Sequence, residues 1–174
     1  MTEWRPQFEQ LLHQHQGMVF GLALHFLRDR PAAEEIAQDV FLALHKNLRS
    51  VSSDEHAKYW LRRVTVQRCI DHTRRRPAIE MPLEDAREIG VAPVENDVFV
   101  RERLRRLIGG LSPDARAVMI LRYQEDLSPP EIAATLSMPV ATVKSHLQRS
   151  LGVLREKMGV ATTAGTPDPS LRSG

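Results

Sequence analysis

The chain has a single cysteine, Cys69, in 174 residues. An internal disulfide is therefore excluded, and this usage fits a reducing cytoplasm. No apolar run approaches the roughly 20 residues that a membrane-spanning helix needs. The opening MTEWRPQFEQ has no apolar core of the signal-peptide kind. A cytoplasmic chain without membrane insertion is expected. Internal repeats, a phosphate-binding glycine loop and a nucleophile elbow are all missing from the sequence. The histidines offer little: His13 and His15 are two apart and do not share a helix face. Cys69 and His72 have the spacing of half a metal site, but no second Cys/His pair has ligand-like spacing. We expect no metal, no cofactor, no small-molecule substrate and no catalytic residue, so the chain is not expected to be an enzyme.

Hydrophobic residues make up 42% of the sequence, enough for folded cores in one ordinary domain or two small ones. The formal charge is only +2, so the placement of charge matters more than its sum. From Pro6 to Arg28 the residues Phe8, Leu11, Leu12, His15, Val19, Leu22, Ala23 and Phe26 keep a helical rhythm. Arg28-Asp29-Arg30-Pro31 ends that helix. Pro31 opens another, with Glu34 and Glu35 in a first turn that favours acids. Ile36, Val40, Leu44 and Leu48 form its buried stripe. Beside the stripe runs a polar band, Glu35, Gln38 and Asp39, with Leu42 set in it.

Ser50–His56 is a loop by composition. A third helix is expected from Ala57 to Arg76, with Tyr59, Trp60, Val64 and Ile70 facing inward. Arg62, Arg63, Arg68, Arg74, Arg75 and Arg76 stand on it against one acid, Asp71. A solvated helix usually mixes signs, so this nearly single-signed surface reads as one that faces phosphates. Residues 77–100 change character, with three prolines (Pro77, Pro82, Pro93), six acids and no steady period. They read as a flexible acidic linker.

A second lobe follows. Leu104, Leu107 and Ile108 mark a helix closed by Gly109-Gly110, and Ser112-Pro113 caps the next. Ser128-Pro129-Pro130-Glu131 starts a short helix that Ser137-Met138-Pro139 breaks. Beyond it Val143, Leu147, Leu151 and Leu154 make one apolar stripe, while Thr142, Lys144, Ser145, Gln148 and Arg149 line the other face. That face carries no acid from Thr142 to Leu154. This is the pattern of a helix-turn-helix whose second helix enters the major groove. The tail from 160 to 174 is small, polar and rich in Pro and Gly, so disorder is expected. The expected fold is all-α: two small helical lobes (1–76 and 101–159) joined by a flexible linker (77–100), with the helix-turn-helix in the C-terminal lobe.

The order of these parts resembles a bacterial RNA polymerase sigma factor of the extracytoplasmic-function group, which keeps only regions 2 and 4 of the sigma-70 family. Three stretches carry the resemblance. They are Ala33-Glu34-Glu35-Ile36-Ala37-Gln38-Asp39-Val40-Phe41-Leu42, Tyr59-Trp60-Leu61-Arg62-Arg63-Val64 through Arg76, and Leu111-Ser112-Pro113 through Val143-Lys144-Ser145. The resemblance implies that Glu35, Gln38, Asp39 and Leu42 bind core RNA polymerase at the β′ clamp helices, with the β flap as a second contact. It implies that Ser52, Ser53, Asp54, His56, Arg62, Arg63, Gln67, Asp71, Arg74 and Arg75 contact the promoter −10 element, holding a flipped base between loop and helix. It implies that Arg122, Thr142, Lys144, Ser145, Gln148 and Arg149 meet the −35 element. An anti-sigma factor, often membrane-bound, is a further implied partner. The sequence departs from the family pattern at Gln67, where Asn is frequent, and at Pro139, where many members have a capping Ser.

Two other readings compete. A stand-alone, dimeric helix-turn-helix regulator would bind palindromic half-sites without polymerase. A helical adaptor would not touch DNA, and its basic faces would be interrupted by acids.

Overall fold

The computed structural model describes residues 4–76 and 96–159, with side chains described from residue 7 in the first stretch and from 97 in the second. Residues 77–95, most of the expected linker, and the tail from 160 lie outside the described residues. The described chain forms α1 (Trp4–Leu27), α2 (Arg30–Asn47), a 3-10 turn (Leu48–Ser50), α3 (Asp54–Arg75), α4 (Asn96–Gly109), α5 (Pro113–Tyr123), α6 (Pro129–Leu136) and α7 (Val140–Met158). There is no strand among the described residues, in agreement with the all-α expectation.

The turn between α1 and α2 is tight for identifiable reasons. Arg28 takes a left-handed φ of 55°, and its N–H donates to Leu24 O at 2.8 Å, which stops α1. Asp29 is extended and its Oδ1 accepts from Ala32 N–H at 3.1 Å, so α2 starts at once, with Pro31 in its first turn. The two helices pack together and α3 packs against both. Val19, Leu22 and Phe26 of α1 meet Ala33, Val40 and Leu44 of α2 and Leu61, Val66 and Cys69 of α3, all but inaccessible to solvent. Full burial of each large side chain contributes roughly 1.5–3 kcal/mol.

In the second lobe α5 and α6 pack on α7, and α4 lies against α5 and α7. Val118, Leu121, Ile132, Val143 and Leu147 form its centre. Gly159 closes α7 at φ 68°, a left-handed position where glycine has no Cβ penalty, and its N–H reaches Arg155 O and Glu156 O.

Several expectations need correction. The third helix begins at Asp54, not Ala57, because the Ser53 side chain caps it by accepting from His56 N–H at 3.1 Å. Asp54, Glu55 and His56 are thus a first helical turn and not loop. Residues 96–100, assigned to the linker, are helical in α4, with Asp97 paired to Arg101 one turn on at 2.8 Å. Tyr59 does not face a core; it is 36% exposed and points at the second lobe. Spacing between the lobes was left open by the sequence. The structure packs α5 against α1 and α3, and α6 against α3, so that one apolar cluster runs through both lobes.

Candidate nucleic-acid interface

The helix-turn-helix is assembled by local chemistry. Ser128 N–H and its hydroxyl both donate to Glu131 Oε2 at 2.7 Å, which fixes the start of α6. These bonds hold the Glu131 carboxyl below its ordinary range. Ser137 ends α6 in the left-handed region at φ 54°. Pro139 then caps α7 with its backbone alone: its carbonyl accepts from Thr142 N–H at 3.0 Å and Val143 N–H at 3.1 Å. Val143 and Leu147 point into the core, which turns Ser145, Gln148 and Arg149 outward, exposed, with Thr142 and Lys144 half-exposed beside them. This is one continuous donor-rich surface at the N-terminal half of the helix, as major-groove reading requires.

Arg122 behaves differently from its expected role. It is half-buried, donates to Leu127 O at 2.9 Å, and its Nε is buried without a partner. In this arrangement it braces the α5–α6 turn and does not reach outward to a phosphate.

The basic face of α3 is largely engaged. Arg62 is 9% exposed, and its Nε and Nη2 both reach Glu125 Oε2 at 3.1 Å. Arg63 donates to Ser137 Oγ at 3.0 Å, and Arg74 reaches Asp114 at 3.2 Å. Arg68 pairs with Asp39 at 3.4 Å and Arg76 with Asp29 at 3.3 Å. The Asp29 carboxyl sits below its ordinary range, chiefly through Ala32 N–H and then Arg76. Arg75 is exposed, and Gln67 donates to Asp71 at 3.2 Å. Four of the six arginines, Arg62, Arg68, Arg74 and Arg76, thus meet carboxylates from outside α3, Arg63 meets a hydroxyl, and Arg75 is exposed.

Ser52 and His56 meet at the head of α3, the hydroxyl 3.1 Å from Nδ1. Asp54 is held from α1: Gln14 donates to Oδ2 at 3.0 Å, and buried His15 lies 2.9 Å from Oδ1. Met18, Lys58 and Glu125 complete the walls of a cavity of about 350 Å³ beside this cluster. Gln14 was not singled out from sequence and His15 entered only as part of the periodic face of α1, since their shared partner lies some 40 residues away.

On α2, Glu35 and Gln38 are exposed, Asp39 is half-exposed, and Leu42 is 61% exposed between buried Val40–Phe41 and Leu44. Spacings of three and four put the four residues on one face. Sequence reasoning also missed Arg116. It donates to Phe26 O of the first lobe and to Gly109 O and Leu111 O of its own, with its guanidinium 5.2 Å from the Phe26 ring. Burial lowers its pKa, and burial likewise pushes the Cys69 thiol up to about 12.

Fold and surface together define a class: a two-lobed, all-α protein with a helix-turn-helix in its second lobe. Residues 11–78 match Sigma-70 region 2, and residues 101–153 match Sigma-70, region 4. The ECF RNA polymerase sigma factor SigM of Mycobacterium tuberculosis is 30% identical over 162 residues, covering 91% of this chain and 81% of that one. The ECF RNA polymerase sigma factor SigE of Mycolicibacterium smegmatis is 30% identical over 160 residues; these are 87% of this chain but only 61% of that protein's length. CnrH in complex with the cytosolic domain of CnrY shares the fold with a TM-score of 0.66 at 22% identity, covering 91% of each chain. The sigma factor RpoE in complex with the anti-sigma factor NepR from Bartonella quintana does so with 0.66 at 20%, covering 88% of this chain and 98% of that one. The chain belongs to the extracytoplasmic-function group of the sigma-70 family, and it carries that family's regions 2 and 4.

Proposed function

We propose that this chain is an alternative sigma factor that binds core RNA polymerase and directs promoter-specific initiation. Glu35, Gln38, Asp39 and Leu42 dock on the β′ clamp helices, and the second lobe engages the β flap. The loop before α3 and the length of α3, with Ser52, Ser53, Asp54, His56, Arg62, Arg63, Gln67, Asp71, Arg74 and Arg75, take the −10 element. The α7 face, with Thr142, Lys144, Ser145, Gln148 and Arg149, reads −35, and Arg122 joins it once freed from Leu127 O. The polymerase does the chemistry. An anti-sigma factor holds the chain silent in the cytoplasm. No helix among the described residues is long and apolar enough to cross a membrane.

The observation that carries this reading is the coincidence of two sigma regions, in order, with two exposed faces. One is a polar band on α2 around an outward Leu42, and the other is the open reading face of α7. A stand-alone dimeric regulator accounts for the second face but not for the first, nor for region 2.

The test is co-elution with bacterial core RNA polymerase, comparing the native chain with Leu42→Ala and Gln38→Ala. These two are cleaner than Asp39→Ala, which also unpairs Arg68. A stable complex weakened by both changes is expected. No complex from a folded, inhibitor-free preparation would remove the reading.

A further inference from the structure

His15 stands on the buried stripe of α1 with Leu11, Val19 and Leu22, where an aliphatic side chain would serve the core. It is only 5% exposed, and a buried imidazole is costly unless it is hydrogen-bonded. Its Nε2 lies 2.9 Å from Asp54 Oδ1. A carboxylate only accepts, so Nε2 carries the proton and donates. Gln14, the exposed residue before it, donates to Asp54 Oδ2 at 3.0 Å. Both oxygens of Asp54 are thus held from α1.

Asp54 is the first residue of α3, directly after the Ser53 cap. The segment around it is ordered by short-range bonds. Val51 is buried, and its N–H donates to Leu48 O at 3.2 Å. Ser53 accepts from His56 N–H through its hydroxyl and from Ala57 N–H through its carbonyl. Ser52 N–H and its hydroxyl lie 3.3 and 3.1 Å from His56 Nδ1. A backbone N–H only donates, so Nδ1 accepts and the ring proton sits on Nε2. Ser52, Ser53 and His56 remain exposed.

We propose that Gln14 and His15 are positioning residues for the −10 reader: they fix Asp54, and through it the Ser52–His56 segment, so that Ser52, Ser53 and His56 meet the base while Asp54 acts on the loop. The proposal rests on the reading of this segment as part of the −10 contact.

Two observations support it. The hold comes from a rigid element, since α1 runs for 24 residues and packs on both α2 and α3. Neighbouring donors on such a helix fix the carboxylate rotamer, as precise placement of a contact loop requires. The hold is also local. Arg63 and Gln67 lie further along α3, and their bonds go to Ser137 and Asp71 and not to α1. Loss of the α1 bonds should therefore disturb the loop and spare those residues.

The experiment uses the full chain bound to bacterial core RNA polymerase and a library of DNA single strands of random sequence. Bound strands are sequenced, which gives base preference position by position. His15→Leu keeps the apolar stripe and removes the donor, while His15→Gln returns a donor close to the place of Nε2. His15→Leu should lose preference about tenfold at the position that the loop meets, the discrimination one good base contact supplies. It should keep preference at neighbouring positions and still co-elute with polymerase. His15→Gln should recover most of the loss. In the free chain, the His56 and Ala57 amides should exchange hydrogen about tenfold faster in His15→Leu, with those of α7 unchanged.

Unchanged preference, an equal loss at every position, no recovery in His15→Gln or unchanged exchange would overturn the proposal. So would altered preference in Asp54→Asn beside an unaltered His15→Leu chain, since Asp54 would then read the base itself. Should His15→Leu lose its helical circular dichroism, Gln14→Ala changes an exposed residue only and must move both readouts in the same direction; no movement overturns the proposal. A native complex without any base preference, or no complex at all, would count against the −10 reading, while hydrogen exchange still decides whether α1 holds the loop.

Discussion

Removing Glu125 should be among the most damaging single changes where the two lobes meet, although ion pairs are usually weak contributors. Arg62 places two nitrogens 3.1 Å from one oxygen of Glu125, and the side chains are only 11% and 13% exposed. With an effective dielectric constant of about 20, unit charges at this range attract by about 4–5 kcal/mol. Desolvating the two ions offsets most of that gain, so the pair as a whole stabilises little. Truncating one partner is another matter, because the other charge stays in place without its counter-ion. Glu125→Ala should therefore cost about 3 kcal/mol, and Arg62→Ala a similar amount. The double change Arg62→Met with Glu125→Leu should return to within about 1 kcal/mol of the native chain, since neither charge remains. The comparison is Arg30–Glu34, with side chains 75% and 52% exposed, where Glu34→Ala should cost under about 0.5 kcal/mol. Urea unfolding followed by helical circular dichroism gives the midpoints and slopes. If Glu125→Ala costs no more than Glu34→Ala, the seam between the lobes is not formed in solution and the reasoning fails.

Leu147 is fully buried under the α7 reading face, so Leu147→Ala should destabilise the chain by about 2–5 kcal/mol in the same assay. Lys144→Ala with Arg149→Ala should leave urea midpoints unchanged but weaken duplex binding and flatten its salt dependence; an unchanged salt slope would speak for an adaptor that never meets DNA. Because the folded-state pKa of Glu131 is lowered, its stabilisation is present above its ordinary value of 4.5 and is lost as pH falls through the lowered folded value. Acid unfolding midpoints should show that Glu131→Gln has a shallower loss of stability below about pH 4.5 than the native chain. With its thiol buried and pushed up to about 12, Cys69 should resist alkylation at neutral pH in the folded chain and react promptly in urea; fast native labelling would show that the core opens.

Helix positions were legible because their signals are local. Ser128 and Glu131 lie three residues apart, and the stripe of Val143, Leu147, Leu151 and Leu154 repeats every turn. The start of α3 was misplaced by three residues, since SVSSDEH has loop composition, and only the side-chain bond from Ser53 shows which residue caps. Tyr59 read as core because aromatics at helical spacing usually are, whereas its hydroxyl found an acceptor 75 residues away. Arg62 and Arg74 read as phosphate contacts because their own helix is nearly single-signed, with Asp71 its one acid from Arg62 to Arg76. Glu125 and Asp114, their partners, sit on a different lobe beyond the linker.

The sequence by itself determined the helices, the helix-turn-helix with its donor-rich outer face, the polar band around Leu42 and the family to which they belong. All of these depend on residues within a few turns of one another. Tertiary structure alone decided which charges are already neutralised. Coulomb interactions and burial depend on distance in space, and the closing of the second lobe on α3 brings together groups that 40 to 63 residues of chain separate.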